Sequence, residues 1–311
     1  MTSTALMAEI AEQSQPTKAK QRVPRFELGK SDASYPERLL SFEGPPPVIY
    51  GLGNEGALDR GVAIIGARNA TPYGKRAAKL VASWAADLGL VVYSGGARGC
   101  DQAAHQGALE AGGTTVAVMG CGADIVYPSR SGKLLDQVAA QGAVVSQYPW
   151  QTPPMKYRFR ERNRLIAALS DLVIVVEARL PSGTLSTVQH ALEMGVQVAA
   201  VPGSIFCLEA AAPNRLISEG ALPISCREDL SLACDFMTSR PNAPLIQDEL
   251  ALFDDASLDG RLLGALRSNP ALPGELSTDL ECSLEEVLET LGMLEIQGKV
   301  LRFPDGRYGS S

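Results

Sequence analysis

From residue 61 to about residue 233, short apolar runs alternate with helical stretches, and this alternation narrows the possible folds more than any other feature. The apolar, β-rich runs are Val62–Ala67, Leu90–Ser94, Thr115–Met119, Ala143–Gln147, Leu172–Glu177 and Val196–Val201. Between them lie Tyr73–Leu88, Asp101–Ala111, Gly132–Gln141, Arg162–Leu169 and Thr184–Met194, all with helical character. A continuous apolar run of strand length fits a strand buried on both faces, as in a parallel sheet covered by helices. Right-handed crossovers then predict an α/β class, an extended Rossmann-like doubly wound parallel sheet.

The flanks read differently. Residues 1–24 are polar and aperiodic and are expected to be a disordered lead-in. In 25–60, the run Pro45 to Pro47 excludes helix, so that part is extended or turned. The sheet domain is therefore assigned to 25–234. Residues 235–257 set one arginine against five acids, with two prolines, and read as a linker. Beyond it, Leu258–Leu266 and Leu284–Gly292 look helical, and LEIQGKVLRFPDGRYG reads as strand, Asp305-Gly306 turn, strand. Helices followed by a terminal hairpin predict a C-terminal winged-helix domain over 258–311.

Several functions are excluded early. No apolar run is long enough to span a membrane, and the N-terminus lacks the basic and apolar regions of a secretory signal. The six cysteines form no C-x-x-C, and with only two histidines no metal set is expected. The thiols read as reduced, hence a cytoplasmic protein. The formal charge of −7 argues against bulk electrostatic attraction to nucleic acid. Screening over about 10 Å at 0.1 M salt still permits a local basic site.

In doubly wound sheets ligands bind at the carboxyl ends of strands, so the residues after each strand were read for chemistry. GARNATPYG follows the first strand. Arg68 can grip an anion there, ahead of a helix capped by Thr71 and Pro72, although an ordinary turn with a surface arginine has the same pattern. SGGARGCDQAAH follows the second. Ser94, Gly95 and Gly96 allow close backbone approach to a ligand, but the spacing is not a dinucleotide fingerprint. Asp101 reads as a helix cap and His105 as a packed or solvated side chain. Ser182, Gly183 and Thr184 open a later helix and offer an anion site or a plain cap. Glu177 has no catalytic partner beside it and reads as structural.

The most informative segment is KYRFRERNR. Lys156, Arg158, Arg160, Arg162 and Arg164 stand against the single acid Glu161, with Tyr157 and Phe159 interleaved. Cations neutralise a sugar–phosphate backbone and aromatic faces stack on unpaired bases. A solvated loop and helix start with Arg–Glu pairing is the alternative, and Arg162–Leu169 is expected to turn helical. No nucleophile–base pair or phosphate-binding P-loop is present, so no catalytic residue is assigned and no cofactor is expected.

Taken together, these motifs resemble the DprA/Smf family. The resemblance covers about residues 33–311 and includes YPERLL, PPPVIYGLGN, GARNATPYG, SGGARGCDQAAHQGAL, VMGCGADIVYP, RFRERNRLIAALS, EARLPSGTLST, VPGS and NRLISEGA in order. It implies a protein, not an enzyme, that binds single-stranded DNA, protects incoming DNA in natural transformation, assists RecA loading and works as a homodimer. Mapped onto this chain, the family's DNA pocket uses Arg68, Lys156 and Phe159, and its RNR motif is Arg162, Asn163 and Arg164. Relatives usually carry proline where Arg160 stands. The helical module many relatives place at the N-terminus is not expected here. The rival reading is a nucleotide-binding enzyme or sensor of the phosphoribohydrolase-like group. Against it, PSGTLSTVQ has Ser182 in place of a glycine, and Val188 and Gln189 where a carboxylate is needed. Glu285, Glu286 and Glu289 make the second winged-helix helix a poor partner for DNA phosphates.

Overall fold

A computed structural model describes residues 23–40, 44–238, 258–268, 270–280, 282–303 and 306–310. The expected lead-in (except 23 and 24), most of the expected linker, and Asp305 of the hairpin turn lie outside these residues. The chain forms two compact units, divided between Pro241 and Asn242.

The first unit is built on a nine-stranded sheet: β1 (Arg25–Gly29), β2 (Val48–Gly53), β3 (Gly61–Ile65), β4 (Val91–Ser94), β5 (Thr115–Met119), β6 (Ala143–Ser146), β7 (Leu172–Val175), β8 (Gln197–Ala200) and β9 (Leu222–Pro223). The spatial order is β1-β2-β6-β5-β4-β3-β7-β8-β9. From β6 to β9 every neighbouring pair is parallel, whereas β1 and β2 join antiparallel at one edge. The strand order reverses between β3 and β7. Chains leaving these adjacent strands therefore diverge to opposite faces and open a crevice at their carboxyl ends.

The helices α1 (Glu37–Leu40), α2 (Pro72–Asp87), α3 (Cys100–Glu110), α4 (Gly132–Gln141), α5 (Lys156–Leu169), α6 (Leu185–Glu193), α7 (Ala211–Ser218) and α8 (Arg227–Thr238) complete this unit. Alternate residues of each strand serve opposite faces, because side chains in a strand repeat every two residues. On β3, Val62 and Ile64 join the core under Trp84, Ala104 and Leu230, and Ala63 and Ile65 join that under Leu165, Leu169 and Val188. A third core packs Leu52, Met119 and Val144 against Leu135 and Val138. Both faces are thus apolar, which accounts for the uninterrupted hydrophobic runs.

Several features differ from the sequence reading, which did not contain α1, α7, α8 or β9. The segment before residue 61 supplies two strands, not merely extended chain; β2 follows the prolines directly. Helix α5 begins at Lys156, six residues before Arg162, so the whole basic run is helical. Pro153 and Pro154 cannot continue a helix backwards, and Met155 caps it in extended conformation.

The second unit packs α9 (Leu258–Ser268), α10 (Pro273–Asp279) and α11 (Leu284–Ile296) beside the hairpin β10 (Val300–Arg302) and β11 (Tyr308–Ser310). Its core is Leu262, Leu266, Leu276, Val287, Leu291, Leu294, Val300 and Tyr308. This is the winged-helix arrangement, with one more helix than expected. Ser283 caps α11 and Glu286 returns the bond, so the acids at its start serve its own N-terminus. That helix runs to Ile296, so Leu294–Ile296 are not strand. Among the described residues no helix is long and apolar enough to cross a membrane.

Candidate nucleic-acid interface

At the switch point between β3 and β7 a cleft of about 820 Å³ opens, and a second of about 460 Å³ adjoins it over β4 and β5. Arg68, Tyr127, Phe159 and Arg162 line both. The loop after β3 brings Arg68, exposed at the rim. Helix α5 brings Lys156, Phe159, Arg160, Arg162 and Asn163, all on the cleft side. The loop after β7 brings Ser182, Gly183 and Thr184 to the same cleft. Thr184 Oγ1 donates to Gly66 O at 3.3 Å, and Ser182 Oγ accepts from the Thr184 amide at 3.2 Å. The Thr184 hydroxyl thereby ties the β7 loop to the β3 loop, while that of Ser182 braces the β7 loop internally.

The cleft floor is built on Arg162. It is only 3% exposed, although it belongs to the most basic run of the chain. Its guanidinium donates to Gly95 O at 2.7 Å, to Val118 O, and through Nε to Asn163 Oδ1 at 3.2 Å. It lies 5.7 Å from the centre of the Phe159 ring. One buried side chain thus joins the ends of β4 and β5 to α5. Gly95 has to be glycine, since a Cβ there would sit 2.7 Å from both Arg162 Nη2 and Asp101 Oδ2. Asp101 faces Arg162 from below and accepts from the Ala97 amide at 3.3 Å. Burial raises its carboxyl to about 6 against the pull of Arg162 and Arg68. Gly96 takes φ +66°, the left-handed conformation that glycine tolerates.

Phe159 is positioned by packing. Its ring centroid is 5.0 Å from that of Tyr127, and Gly120 leaves room for it, since a Cβ there would lie 2.6 Å from the ring. Replacing Gly120 with alanine should therefore displace the ring without touching a charge. If Phe159 stacks on a base, Gly120→Ala and Phe159→Ala should each weaken oligo-dT binding, the latter by about 1–3 kcal/mol. Fluorescence anisotropy checks this; unchanged affinity in both variants removes Phe159 from the interface.

The expected site residues divide into three groups. Arg68, Lys156, Phe159, Arg160, Ser182, Gly183 and Thr184 come together around open space. Arg162, Asn163 and Gly95 lie in the walls and floor; Asn163 Nδ2 donates to Ser186 Oγ at 2.8 Å. Three expectations need correction. Gly96 is buried, lines neither cleft, and its Cβ position faces Met119 and Leu135. Ser94 is fully buried and its hydroxyl donates to Ile64 O at 2.7 Å, so it faces the sheet and not the cleft. Arg164 lines neither cleft; a Cβ built on Gly44 would lie 3.7 Å from its Nη1. The interleaved aromatics also part company. Residues two apart on a helix project about 200° apart, so Phe159 faces the cleft while Tyr157 stands outside it, 5.5 Å from Arg158, which also meets Tyr148 at 5.2 Å.

Sequence reasoning passed over Tyr127, Arg98 and Arg130, which line the smaller cleft. Their signal was available, since Arg98 follows β4 and both others follow β5. The buried titratable groups are engaged elsewhere. Glu177 accepts from the Thr71 amide at 2.9 Å and from its hydroxyl, holding the start of α2. Burial drives His105 down to about 3, so it is neutral, and pushes Cys100 up to about 12, so it is no thiolate. Among the described residues no group of three or more histidine, cysteine and acidic side chains could hold a metal. The arrangement can hold phosphates and a flat ring; it presents no paired acid and base.

Comparison with known proteins places this geometry. The family model described as DNA recombination-mediator protein A matches residues 27–235, and that of the DprA winged helix domain matches 246–306. DNA processing protein DprA of Bacillus subtilis is 38% identical over 202 residues, 64% of this chain and 68% of the relative. Protein Smf of Synechocystis is 33% identical over 285 residues, 86% of this chain and 69% of the relative. The X-ray structure of DNA processing protein A from Streptococcus pneumoniae superposes with TM-score 0.64 at 34% identity, covering 75% of this chain and 78% of that one. A Helicobacter pylori DNA processing protein A, described for its single-stranded DNA binding mode, gives TM-score 0.63 at 30% identity, covering 72% and 100%.

Proposed function

This chain belongs to the DNA recombination-mediator protein A family, DprA/Smf, and we propose that it binds single-stranded DNA in the cleft above β3 and β7. The observation that carries this reading is the convergence of Arg68 and Lys156 with the ring of Phe159 around open space. Cations and an aromatic face serve the two parts common to every nucleotide of a strand, its phosphate and its base. Neither distinguishes one base from another, so the binding is nearly independent of sequence.

The division of labour follows from exposure. Arg68, Lys156 and Arg160 reach solvent and take phosphates. Ser182, Gly183 and Thr184 line the same cleft and bound the strand there. Arg162 stays buried and keeps the Gly95 loop and Phe159 in register. The strand lies extended and unpaired, since a duplex would bury its base faces away from Phe159. The reading is of a holder rather than a catalyst, supported by Asp101 and Glu177 being committed to backbone and cap bonds. In the same reading the sheet domain carries the DNA, and the linker to the winged-helix domain, 258–311, begins only after α8 ends at Thr238 and not at 235 as expected. The protein works as a cytoplasmic homodimer that protects incoming DNA and hands it to RecA during transformation or recombination. Family membership supports that wider role.

The test is anisotropy of a labelled oligo-dT across a salt series, beside the matching duplex and AMP. Tight single-strand binding is expected, with log Kobs falling by about 0.7 per phosphate contact for each decade of salt. Duplex and AMP should bind far more weakly. Equal binding of AMP with no salt slope would overturn the reading in favour of a small-nucleotide site.

A further inference from the structure

The strand-end cleft does not stop at Arg68. A separate groove of about 650 Å³ starts from the same residue and runs over the paired helices α2 and α3. Arg68 and Arg98 are common to this groove and to the strand-end clefts, so the two surfaces meet there. Along α2 the groove is lined by Lys75, Arg76 and Lys79, and along α3 by Gln102 and Gln106. No carboxylate lines it, on a chain whose formal charge is −7.

The helical geometry explains the row. Lys75 and Lys79 are four residues apart, so they stand on one face of α2, separated by about 6 Å of rise. Gln102 and Gln106 repeat that spacing on α3. The helices can approach closely because Gly107 meets the backbone of Lys79; a Cβ there would lie 2.1 Å from Lys79 O. Both rows therefore border one shallow channel. The channel has an end as well as a beginning. Lys79 is paired with Glu110 at 2.6 Å, so the positive potential falls away at the second turn of α2. No aromatic side chain lines the channel, so it offers phosphate contacts and amide hydrogen bonds without a stacking platform.

Resting on the single-stranded DNA reading above, we infer that the bound strand continues past Arg68 along the α2–α3 channel, where Lys75 and Gln106 hold its sugar–phosphate backbone. The channel lengthens the binding site and adds to its salt dependence, while base stacking stays with Phe159.

The experiment compares two lengths of labelled oligo-dT on the full chain: about 6 nucleotides, enough for the strand-end cleft, and about 20, enough for both surfaces. The variants are Lys75→Ala and Gln106→Glu, exposed side chains outside the strand-end cleft. Lys75→Ala should lower the salt slope on the long oligonucleotide by about 0.7, with roughly threefold weaker binding at low salt, and leave the short one unchanged. Gln106→Glu should also weaken only the long one. If both variants match the wild type at both lengths, the channel is unused and the inference fails. If they weaken the short oligonucleotide equally, there is no separate channel and it also fails. If the wild type itself binds neither length, the single-stranded DNA reading has failed, an outcome separate from the first two.

Discussion

Replacing Arg162 with alanine is expected to destabilise the sheet domain by about 2–6 kcal/mol, since two buried carbonyls lose their donor at about 1–3 kcal/mol each. The side chain is 3% exposed, and its loss leaves two strand-end carbonyls, Gly95 O and Val118 O, without their donor. It also leaves Asp101 without the cation that faces it. The pH dependence identifies that carboxylate as part of the cost. In the native protein Asp101 titrates at about 6, raised by burial, whereas an unfolded aspartate titrates near 3.9. Between roughly pH 4 and 6 the folded state therefore binds more protons than the unfolded state, and this residue's contribution to stability falls as pH rises. Removing Arg162 takes away the strongest lowering influence, so the native value moves higher and the decline continues to higher pH. Arg162→Ala should consequently lose more stability at pH 8 than at pH 5, read from urea midpoints at the two values. Adding Asp101→Asn should recover part of the loss at pH 8. A pH-independent loss, or no recovery in the double variant, would show that Asp101 does not carry the cost.

The same residue shows where sequence reading reaches its limit. The basic run was legible as a candidate site because charge concentration is a property of composition. Which of its arginines face the cleft is a property of helical phase, and the phase depends on where α5 begins. Pro153 and Pro154 marked that start, but alternating aromatics and cations look equally at home in an extended segment. Once the run is helical, Arg162 turns inward and Phe159 outward. Ser94 was misplaced for a related reason. It ends β4, and whether a strand's last residue faces the cleft or the sheet is decided by the two-residue period and by the carbonyl of Ile64 on the next strand. The parallel core was plain, because strands buried on both faces leave continuous apolar runs. Strands β1 and β2 were not, since RFELG and VIYGLG are short and show no continuous apolar run. Tyr127 follows β5 and so carried the strand-end signal, but only folding shows that its ring meets Phe159.

Replacing Arg68 and Lys156 together with alanine should weaken binding of a long oligo-dT by roughly 100-fold at low salt, allowing somewhat less than the usual net value of a charged hydrogen bond for each exposed side chain. The salt slope should fall by about 1.4, since each contact to single-stranded DNA contributes about 0.7. The effect should reside in binding alone. Both side chains are exposed and neither bridges strand ends, so the urea midpoint should match the wild type. This separates them from Arg162, whose replacement should reduce stability and binding together through the floor of the cleft. Conservative variants sharpen the distinction. Lys156→Arg keeps a mobile cation and should bind nearly as well as the wild type. Arg68→Lys keeps the charge but loses the planar fork that can hold two phosphate oxygens, and should fall between wild type and alanine. If the double alanine variant binds oligo-dT with unchanged affinity and slope, phosphates do not rest on these side chains and the cleft above β3 and β7 is not the DNA site. If affinity falls but the slope does not, the two residues act on the shape of the cleft rather than on the backbone charge of the strand.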